Sequence, residues 1–315
     1  MPVGGEMKID FEGKFGIVTG AGRGMGRGFA LDLARRGAGV VVNGRPLGEG
    51  GSGEAEAVAD EINSAGGRAI LVYASVENRE GVDALVDAAL DNFGSLDFVI
   101  NNAGILQNGA FEDLSARDIE IIANVHLFGS FYLGQRAFKA MKAKGYGRIV
   151  NVSSTTALVG IPGLANYAAA KGGILGLTRA MAAEGAAHGI KVNALVPSAQ
   201  GKMQAKQPIP GFAEKFDSVR GQLQSRMAPE SVVPLAVYLA SHDCERNGEI
   251  WTACAGRFAR IATCFGSGWI APDAYAVSAE DIGDHLDQIA AMDNCFEPAN
   301  LDDIYRDIVG RLPPA

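Results

Sequence analysis

Along the first two thirds of the chain, short runs of β-branched and aliphatic residues alternate with longer stretches whose apolar residues recur every three or four positions. The short runs predict strands over 15–19, 40–43, 70–73, 96–101, 148–153 and 191–197. The 3.6-residue period between them predicts helices over 24–37, 54–65, 81–93, around 119–142 and from about 164 to 185. Strand, helix, strand at this rhythm implies parallel strands joined by right-handed crossovers. The expected fold is therefore α/β, a doubly wound parallel sheet of six or seven strands flanked by helices.

Two segments interrupt the rhythm. Residues 44–53 hold five glycines in ten and predict an enlarged loop after the second strand. Residues 199–225, rich in Gln, Pro and Gly, predict a lid over a site late in the sheet. Past Gly248 the pattern gives a last strand at 250–254 and two helices at 279–292 and 301–312. The expected organisation is one α/β domain over 1–258 with a C-terminal helical extension, 259–315, packed on it. No repeat with a period of 20–50 residues is visible in the chain.

Composition narrows the function classes. The 315 residues carry a net charge of −8 with no long basic run, which gives no footprint for binding nucleic acid through its phosphates. Cys244, Cys254, Cys264 and Cys295 form no C-x-x-C pair, so reduced thiols are expected rather than a disulfide framework or a zinc site. His126, His188, His242 and His285 show no metal-ligand spacing, and no metal is expected. The N-terminus lacks the basic and apolar regions of a signal peptide. The longest uncharged run, 149–170, carries Asn151, Ser153, Thr155, Pro162 and Asn166 and is no membrane span. A soluble, cytosolic protein is expected.

Thr19-Gly20-Ala21-Gly22-Arg23-Gly24-Met25-Gly26 follows the first strand and opens the first helix. In that context glycines let a backbone approach a pyrophosphate at a helix N-terminus, as in a Rossmann fold. The spacing is T-G-x-x-x-G-x-G rather than G-x-G-x-x-G, and a tight strand-to-helix turn is the alternative reading. Cofactor preference is read at the end of the second strand, where a carboxylate would bond the adenosine ribose. Here stand Asn43-Gly44-Arg45, with no carboxylate. Arg23 and Arg45 could pair with a 2′-phosphate, which favours NADP over NAD. The alternative is that Arg45 is a solvated loop residue.

Ser154, Tyr167 and Lys171 form the sharpest pattern. Tyr167 and Lys171, four apart, share a helix face, so the ammonium can lie near the phenol. For a tyrosine of pKa ~10 to act as a base near neutrality takes a shift of about three units, roughly 4 kcal/mol. Lys171 beside an oxidised nicotinamide could supply it. Ser154 ends a strand, at the carboxyl edge where open α/β sheets place their sites, and its hydroxyl can bond a substrate carbonyl. Taken alone, Tyr-x-x-x-Lys also describes a helix with one surface lysine.

With the cradle at Gly20–Gly26, Asn101-Asn102-Ala103-Gly104, Asn124, Ser154, Tyr167 and Lys171 in this order, the chain closely resembles the short-chain dehydrogenase/reductase family. The resemblance implies that Tyr167 is the acid/base and that Lys171 lowers its pKa and holds the nicotinamide ribose. It also implies that Ser154 orients the carbonyl and Asn124 anchors a relay water. Gly20, Gly22, Arg23, Gly24, Met25, Gly26, Arg45, Ser75, Val76, Asn102, Ala103, Gly104, Pro197 and Ala199 are then expected around the cofactor, with Tyr167 and Lys171. Asn101 and Asn102 could instead be buried amides tying strand ends together, and Asn124 a locally satisfied helix amide.

More narrowly, Val41-Val42-Asn43 with its glycine-rich insertion, Asn102-Ala103-Gly104-Ile105-Leu106, and the tail through Trp269 and Ser278-Ala279-Glu280-Asp281 are similar to the (3R)-hydroxyacyl-CoA dehydrogenase unit of peroxisomal multifunctional enzymes. Gly44 stands where that group has an aspartate, and Ser198 where it has the glycine of a Pro-Gly pair. There is no room for hydratase and lipid-transfer domains, and Pro313-Pro314-Ala315 is no peroxisomal address, so a free-standing homologue is expected. The resemblance implies a secondary alcohol/ketone oxidoreductase acting on a small molecule, with a 3-hydroxyacyl/3-oxoacyl thioester as the preferred class. A hydroxysteroid or other bulky-alcohol dehydrogenase is one alternative, and a non-catalytic nicotinamide-binding sensor or scaffold another. A homodimer or homotetramer through the helices around 119–142 and 164–185 is also implied.

Overall fold

The computed structural model describes residues 9–45, 53–200 and 221–312. Its strands are β1 Phe15–Val18, β2 Gly39–Gly44, β3 Arg68–Tyr73, β4 Phe98–Asn101, β5 Gly147–Val152, β6 Ile190–Ser198, β7 Ile250–Cys254 and β8 Arg257–Ile261. Its helices begin with α1 Gly24–Arg35, α2 Glu54–Ser64, α3 Arg79–Phe93, α4 Ala116–Ile122 and α5 Gly129–Lys144. They continue with α6 Ala165–Gly185, α7 Val233–Ala240, α8 Ala279–Asp284, α9 Leu286–Ala290 and α10 Leu301–Arg311. The predicted glycine-rich loop and lid fall largely on 46–52 and 201–220, which lie outside the described residues.

One sheet runs in the order β3-β2-β1-β4-β5-β6-β7-β8, and every pairing from β3 through β7 is parallel. The chain winds outward from β1 to β3, returns to the centre at β4 and winds outward again. The crevice at the carboxyl ends of β1 and β4 is where such a sheet takes its ligand. The eighth strand departs from the expected six or seven. Ala255 and Gly256, at φ 51° and 88°, make a two-residue reversal after β7, so β8 returns antiparallel along the sheet edge.

The strand period of two divides the core. Val18, Val40, Val42, Ile100 and Val150 face α1, α2 and α7, meeting Phe29, Leu33, Val58, Ile62, Val233 and Val237. Ile17, Val41, Val99, Ile149 and Val192 face the opposite layer, meeting Val82, Leu85 and Val86 of α3 and Leu133 and Met141 of α5. Burial on both faces explains why these strands read as continuous apolar runs. Each buried aliphatic side chain contributes about 1.5–3 kcal/mol. Between the layers, Asn101 Nδ2 donates to Asn151 Oδ1 (2.8 Å) and Asn151 Nδ2 to Thr178 Oγ1 (3.0 Å), which ties β4, β5 and α6 together.

The single helix expected around 119–142 is three segments. After α4 the backbone opens into a π-helical stretch, Ala123–Phe128, where the Gly129 N–H reaches back five residues to the Asn124 carbonyl, and α5 follows. The helix expected at 279–292 likewise breaks at His285 into α8 and α9.

The chain forms two compact units that part between Arg260 and Ile261. Within the second, Phe265 and Phe296 exchange backbone hydrogen bonds of 2.8 and 2.9 Å, and Trp269 stacks on His285 with centroids 4.0 Å apart. Capping boxes at Ser278 and Asn300 start α8 and α10. Among the described residues no helix is long and apolar enough to cross a membrane.

Candidate active site

Six consecutive parallel strands end beside residues singled out by the sequence. Gly20 follows β1, Arg45 follows β2, Ser75 and Val76 follow β3, Asn102, Ala103 and Gly104 follow β4, and Ser154 follows β5. Pro197 lies in the last turn of β6, paired with Ala253 of β7, and Ala199 comes directly after it. Parallel pairing therefore gathers residues spread over 180 positions onto one edge of the sheet.

The four glycines of the cradle have different reasons to be glycine. A Cβ on Gly26 would stand 2.2 Å from the Gly20 carbonyl oxygen, one on Gly20 2.9 Å from Ala103 Cα, and one on Gly22 2.8 Å from Ala55 N. These three are fixed by the fold itself. Gly24 has φ +54° with nothing within 4 Å of its Cβ position, at the start of α1, whose N-cap Arg23 makes no side-chain cap. Open space before uncapped N–H groups fits the phosphates of a dinucleotide. Thr19 braces the crevice: its Oγ1 accepts from the N–H groups of Asn102 (2.9 Å) and Ala103 (3.0 Å). Asn102 Nδ2 donates to the Thr19 carbonyl at 2.9 Å, so this amide is a tie between strand ends.

At the end of β2, Asn43 points inward. Its Oδ1 accepts from Gly20 N–H (3.3 Å) and its Nδ2 donates to the Ala74 carbonyl (3.0 Å). A Cβ on Gly44 would stand 2.6 Å from the Ala55 Cβ, so a carboxylate has no room there. Neither candidate arginine is unpaired. Arg45 Nη2 lies 3.3 Å from Glu77 Oε1, and Arg23 Nη1 3.7 Å from Glu54 Oε2. Met25 packs against the first core layer. Val76 is buried, with its carbonyl close behind Gly129, and Ser75 Oγ accepts from Glu77 N–H at 3.3 Å.

Ser154, Tyr167 and Lys171 come together where α6 crosses the end of β5. Lys171 Nζ donates to the Val152 carbonyl at 2.6 Å, and Ser153 Oγ to the Lys171 carbonyl at 2.8 Å, which docks the helix on the strand. The ammonium lies 5.7 Å from the centroid of the Tyr167 ring. Ser154 Oγ accepts from Thr156 N–H at 3.2 Å, which fixes the hydroxyl at the end of β5. Burial pushes the Tyr167 phenol up from 10.0, and a hydrogen bond from Ser154 pulls the other way. Burial brings Lys171 from 10.5 down to about 7. Desolvation acts on both groups against their charged forms.

Asn124 sits on the π-helical stretch, and its carbonyl is the one that accepts from Gly129 N–H. Two positions along is His126, which sequence reasoning considered only as a metal ligand. It is buried edge-on to Tyr167, with centroids 5.1 Å apart. A polar ring between Val125 and Leu127 in an apolar helix, two residues from Asn124, was the available signal. Among the described residues no cluster of three His, Cys, Asp or Glu side chains could hold a metal.

A doubly wound sheet with a glycine cradle and a Ser-Tyr-Lys cluster at its carboxyl edge is the architecture of a nicotinamide-dependent oxidoreductase. Residues 14–207 match the short chain dehydrogenase family, and the chain belongs to it. Over 258 residues it is 40% identical to mouse peroxisomal multifunctional enzyme type 2, covering 80% of this chain and 33% of that one. It is 40% identical over 181 residues to a 3-oxoacyl-[acyl-carrier-protein] reductase of Synechocystis, covering 58% and 72%. The full-length peroxisomal multifunctional enzyme type 2 of Drosophila melanogaster superposes with a TM-score of 0.77 at 30% identity, covering 96% of this chain and 50% of that one. The chain thus spans a third of the mouse enzyme and half of the Drosophila chain.

Proposed function

We propose that the chain interconverts a 3-hydroxyacyl and a 3-oxoacyl thioester, with NADP preferred over NAD. The observation that carries the reaction is the meeting of Ser154, Tyr167 and Lys171 on the edge that also holds the glycine cradle. A nicotinamide dinucleotide, when bound, supplies or accepts the hydride. Tyr167 moves the proton at the carbonyl oxygen, and Ser154 donates a hydrogen bond to that oxygen as charge builds on it. Lys171, once charged, stabilises the tyrosinate from its place on the same helix face. Asn124, on the π-helical turn, would anchor the relay water that the family resemblance implies.

Support for the thioester comes from the likeness to a 3-oxoacyl-[acyl-carrier-protein] reductase and to the multifunctional enzymes. Support for NADP comes from Gly44, where packing leaves no room for a ribose-binding carboxylate, and from Arg45 next to it. Support for assembly as a dimer or tetramer comes from exposed Phe128 and Phe131, on either side of the start of α5, and from the exposed small residues Ala169 and Gly176 of α6. Sedimentation checks this, and a monomer would sink it.

The test is a fluorescence titration with NADPH and NADH, followed by reduction of acetoacetyl-CoA. Tighter NADPH binding and steady turnover are expected. Turnover of bulky cyclic ketones with none of acetoacetyl-CoA would overturn the thioester reading.

A further inference from the structure

His126 is buried beside Tyr167, and the reaction described above gives it no task. Its ring meets that of Tyr167 at an interplanar angle of 87°. On its other side Nε2 lies 2.8 Å from the Ile105 carbonyl oxygen and 3.2 Å from the Ile105 N–H. One nitrogen cannot answer both, since donating to the carbonyl needs a proton on Nε2 and accepting from the N–H needs a bare one. Nδ1 decides between them, because it is buried with no partner among the described residues. A bare Nε2 would put the ring's proton on Nδ1 as a buried donor without an acceptor, the rarer and costlier arrangement. Nε2 therefore carries the proton and donates to Ile105.

The ring also accounts for a glycine. A Cβ on Gly104 would stand 2.6 Å from His126 Cε1, so the Cε1 corner of the imidazole lies close against the backbone of the turn that follows β4. Burial, reinforced by the charge of Lys171, holds the imidazole well below its ordinary pKa, so the ring stays neutral. Lys171 and Tyr167 on α6 are the titratable groups that face it, and the turn after β4 meets it with backbone alone.

We propose that His126 is a positioning residue that pins the turn 102–105 to the flank of Tyr167, so that the cofactor side and the proton-transfer side of the site keep one spacing. The hydrogen bond to Ile105 fixes the turn, and the perpendicular ring contact fixes the phenol. The proposal rests on the reading of Tyr167 as the acid/base.

Two substitutions separate this from simple filling of space. His126→Leu keeps apolar bulk and removes the donor, whereas His126→Gln keeps an N–H near the place of Nε2. Melting temperature, nucleotide Kd, kcat and the pH profile of kcat are measured on both. In the folded Leu variant, kcat is expected to fall about tenfold or more, since small misplacements at a reacting centre are costly, with weaker nucleotide binding and a shifted pH limb. The Gln variant is expected to stay within about threefold of wild type on every count. Wild-type values in the Leu variant, or equal damage in both, would overturn the proposal.

Should the Leu variant fail to fold, nitrogen NMR of the wild-type protein reads the ring directly. A neutral imidazole protonated at Nε2 at pH 6 is expected, and an imidazolium or an Nδ1–H tautomer overturns the proposal. Nucleotide binding and the NMR signature need no substrate. They hold if the thioester reading fails, and the Leu variant keeps the wild-type nucleotide affinity if His126 has no positioning role.

Discussion

Lys171 donates to the Val152 carbonyl at 2.6 Å from a site where the lysine is only 3% exposed. One hydrogen bond does not replace the hydration of an ammonium, so the group titrates near 7 instead of 10.5. Below pH 7 it is charged in both folded and unfolded chains, and the folded protein bears the full cost of burying the charge. Above that the folded lysine sheds its proton while the unfolded one keeps it until about 10.4. This group therefore makes stability rise with pH between about 7 and 10.5.

Replacing Lys171 by Met should consequently stabilise the free protein while abolishing turnover. At about 1.4 kcal/mol per pKa unit the gain is on the order of several kcal/mol at pH 6, and it vanishes toward pH 10.5. Urea unfolding at pH 6, 8 and 10 checks it. A gain independent of pH, or a loss at pH 6, would show that the lysine is not the strained group.

Tyr167→Phe keeps the ring against His126 and removes only the proton carrier. Nucleotide Kd should stay within about twofold while turnover falls roughly 10²–10⁴-fold. Ser154→Ala should cost about 10²–10³ in kcat through the lost hydrogen bond to the developing oxyanion. Single-turnover kinetics with acetoacetyl-CoA read both, and wild-type chemistry in either variant would remove that residue from the reaction.

What the sequence could show follows from what is periodic or local. Runs such as Val40-Val41-Val42 are apolar because both sheet faces are covered, so the central strands and their parallel order were legible. The cluster of Ser154, Tyr167 and Lys171 was legible because one strand end and one helix face suffice to assemble it. Hidden features depend on partners distant in sequence. Asn43 could be read only as the absence of a carboxylate, and its bonds to Gly20 and Ala74 give its amide another task. That Gly104 also makes room for His126 could not be read from its neighbours in sequence. The π-helical turn at Ala123–Phe128 leaves the apolar spacing almost unchanged and is invisible to periodicity. β8 was missed because Ala255-Gly256 lacks the Asn-Gly or Asp-Gly signature of a two-residue hairpin.

The cradle glycines offer an internal control. Gly26→Ala must displace the Gly20 carbonyl, 2.2 Å from the new Cβ, so it should unfold or strongly destabilise the protein with or without nucleotide. Gly24→Ala meets nothing within 4 Å and bears only the strain of φ +54°, about 1 kcal/mol. Its methyl group would nonetheless occupy the space proposed for the phosphates. Calorimetry should find Gly24→Ala nearly as stable as wild type when free but with nucleotide affinity reduced tenfold or more, on the order of 1.4 kcal/mol. Unchanged affinity would place the phosphates elsewhere.

Arg45 and Glu77 form an ion pair of 3.3 Å whose side chains are 41% and 30% exposed. An exposed pair of this kind is worth about 0–1 kcal/mol, so a 2′-phosphate can take the guanidinium from the carboxylate but must compete with it. Glu77→Gln removes the competitor together with a negative charge that repels the phosphate. NADPH should then bind two- to fivefold tighter, about 0.4–1 kcal/mol, with NADH unchanged. Arg45→Ala should weaken NADPH and again leave NADH unaffected. Both effects should fade between 0.05 and 0.3 M salt, roughly, as screening shortens the reach of the charges. Equal shifts for the two nucleotides, or none, would take Arg45 away from the 2′-phosphate and return the preference to NAD.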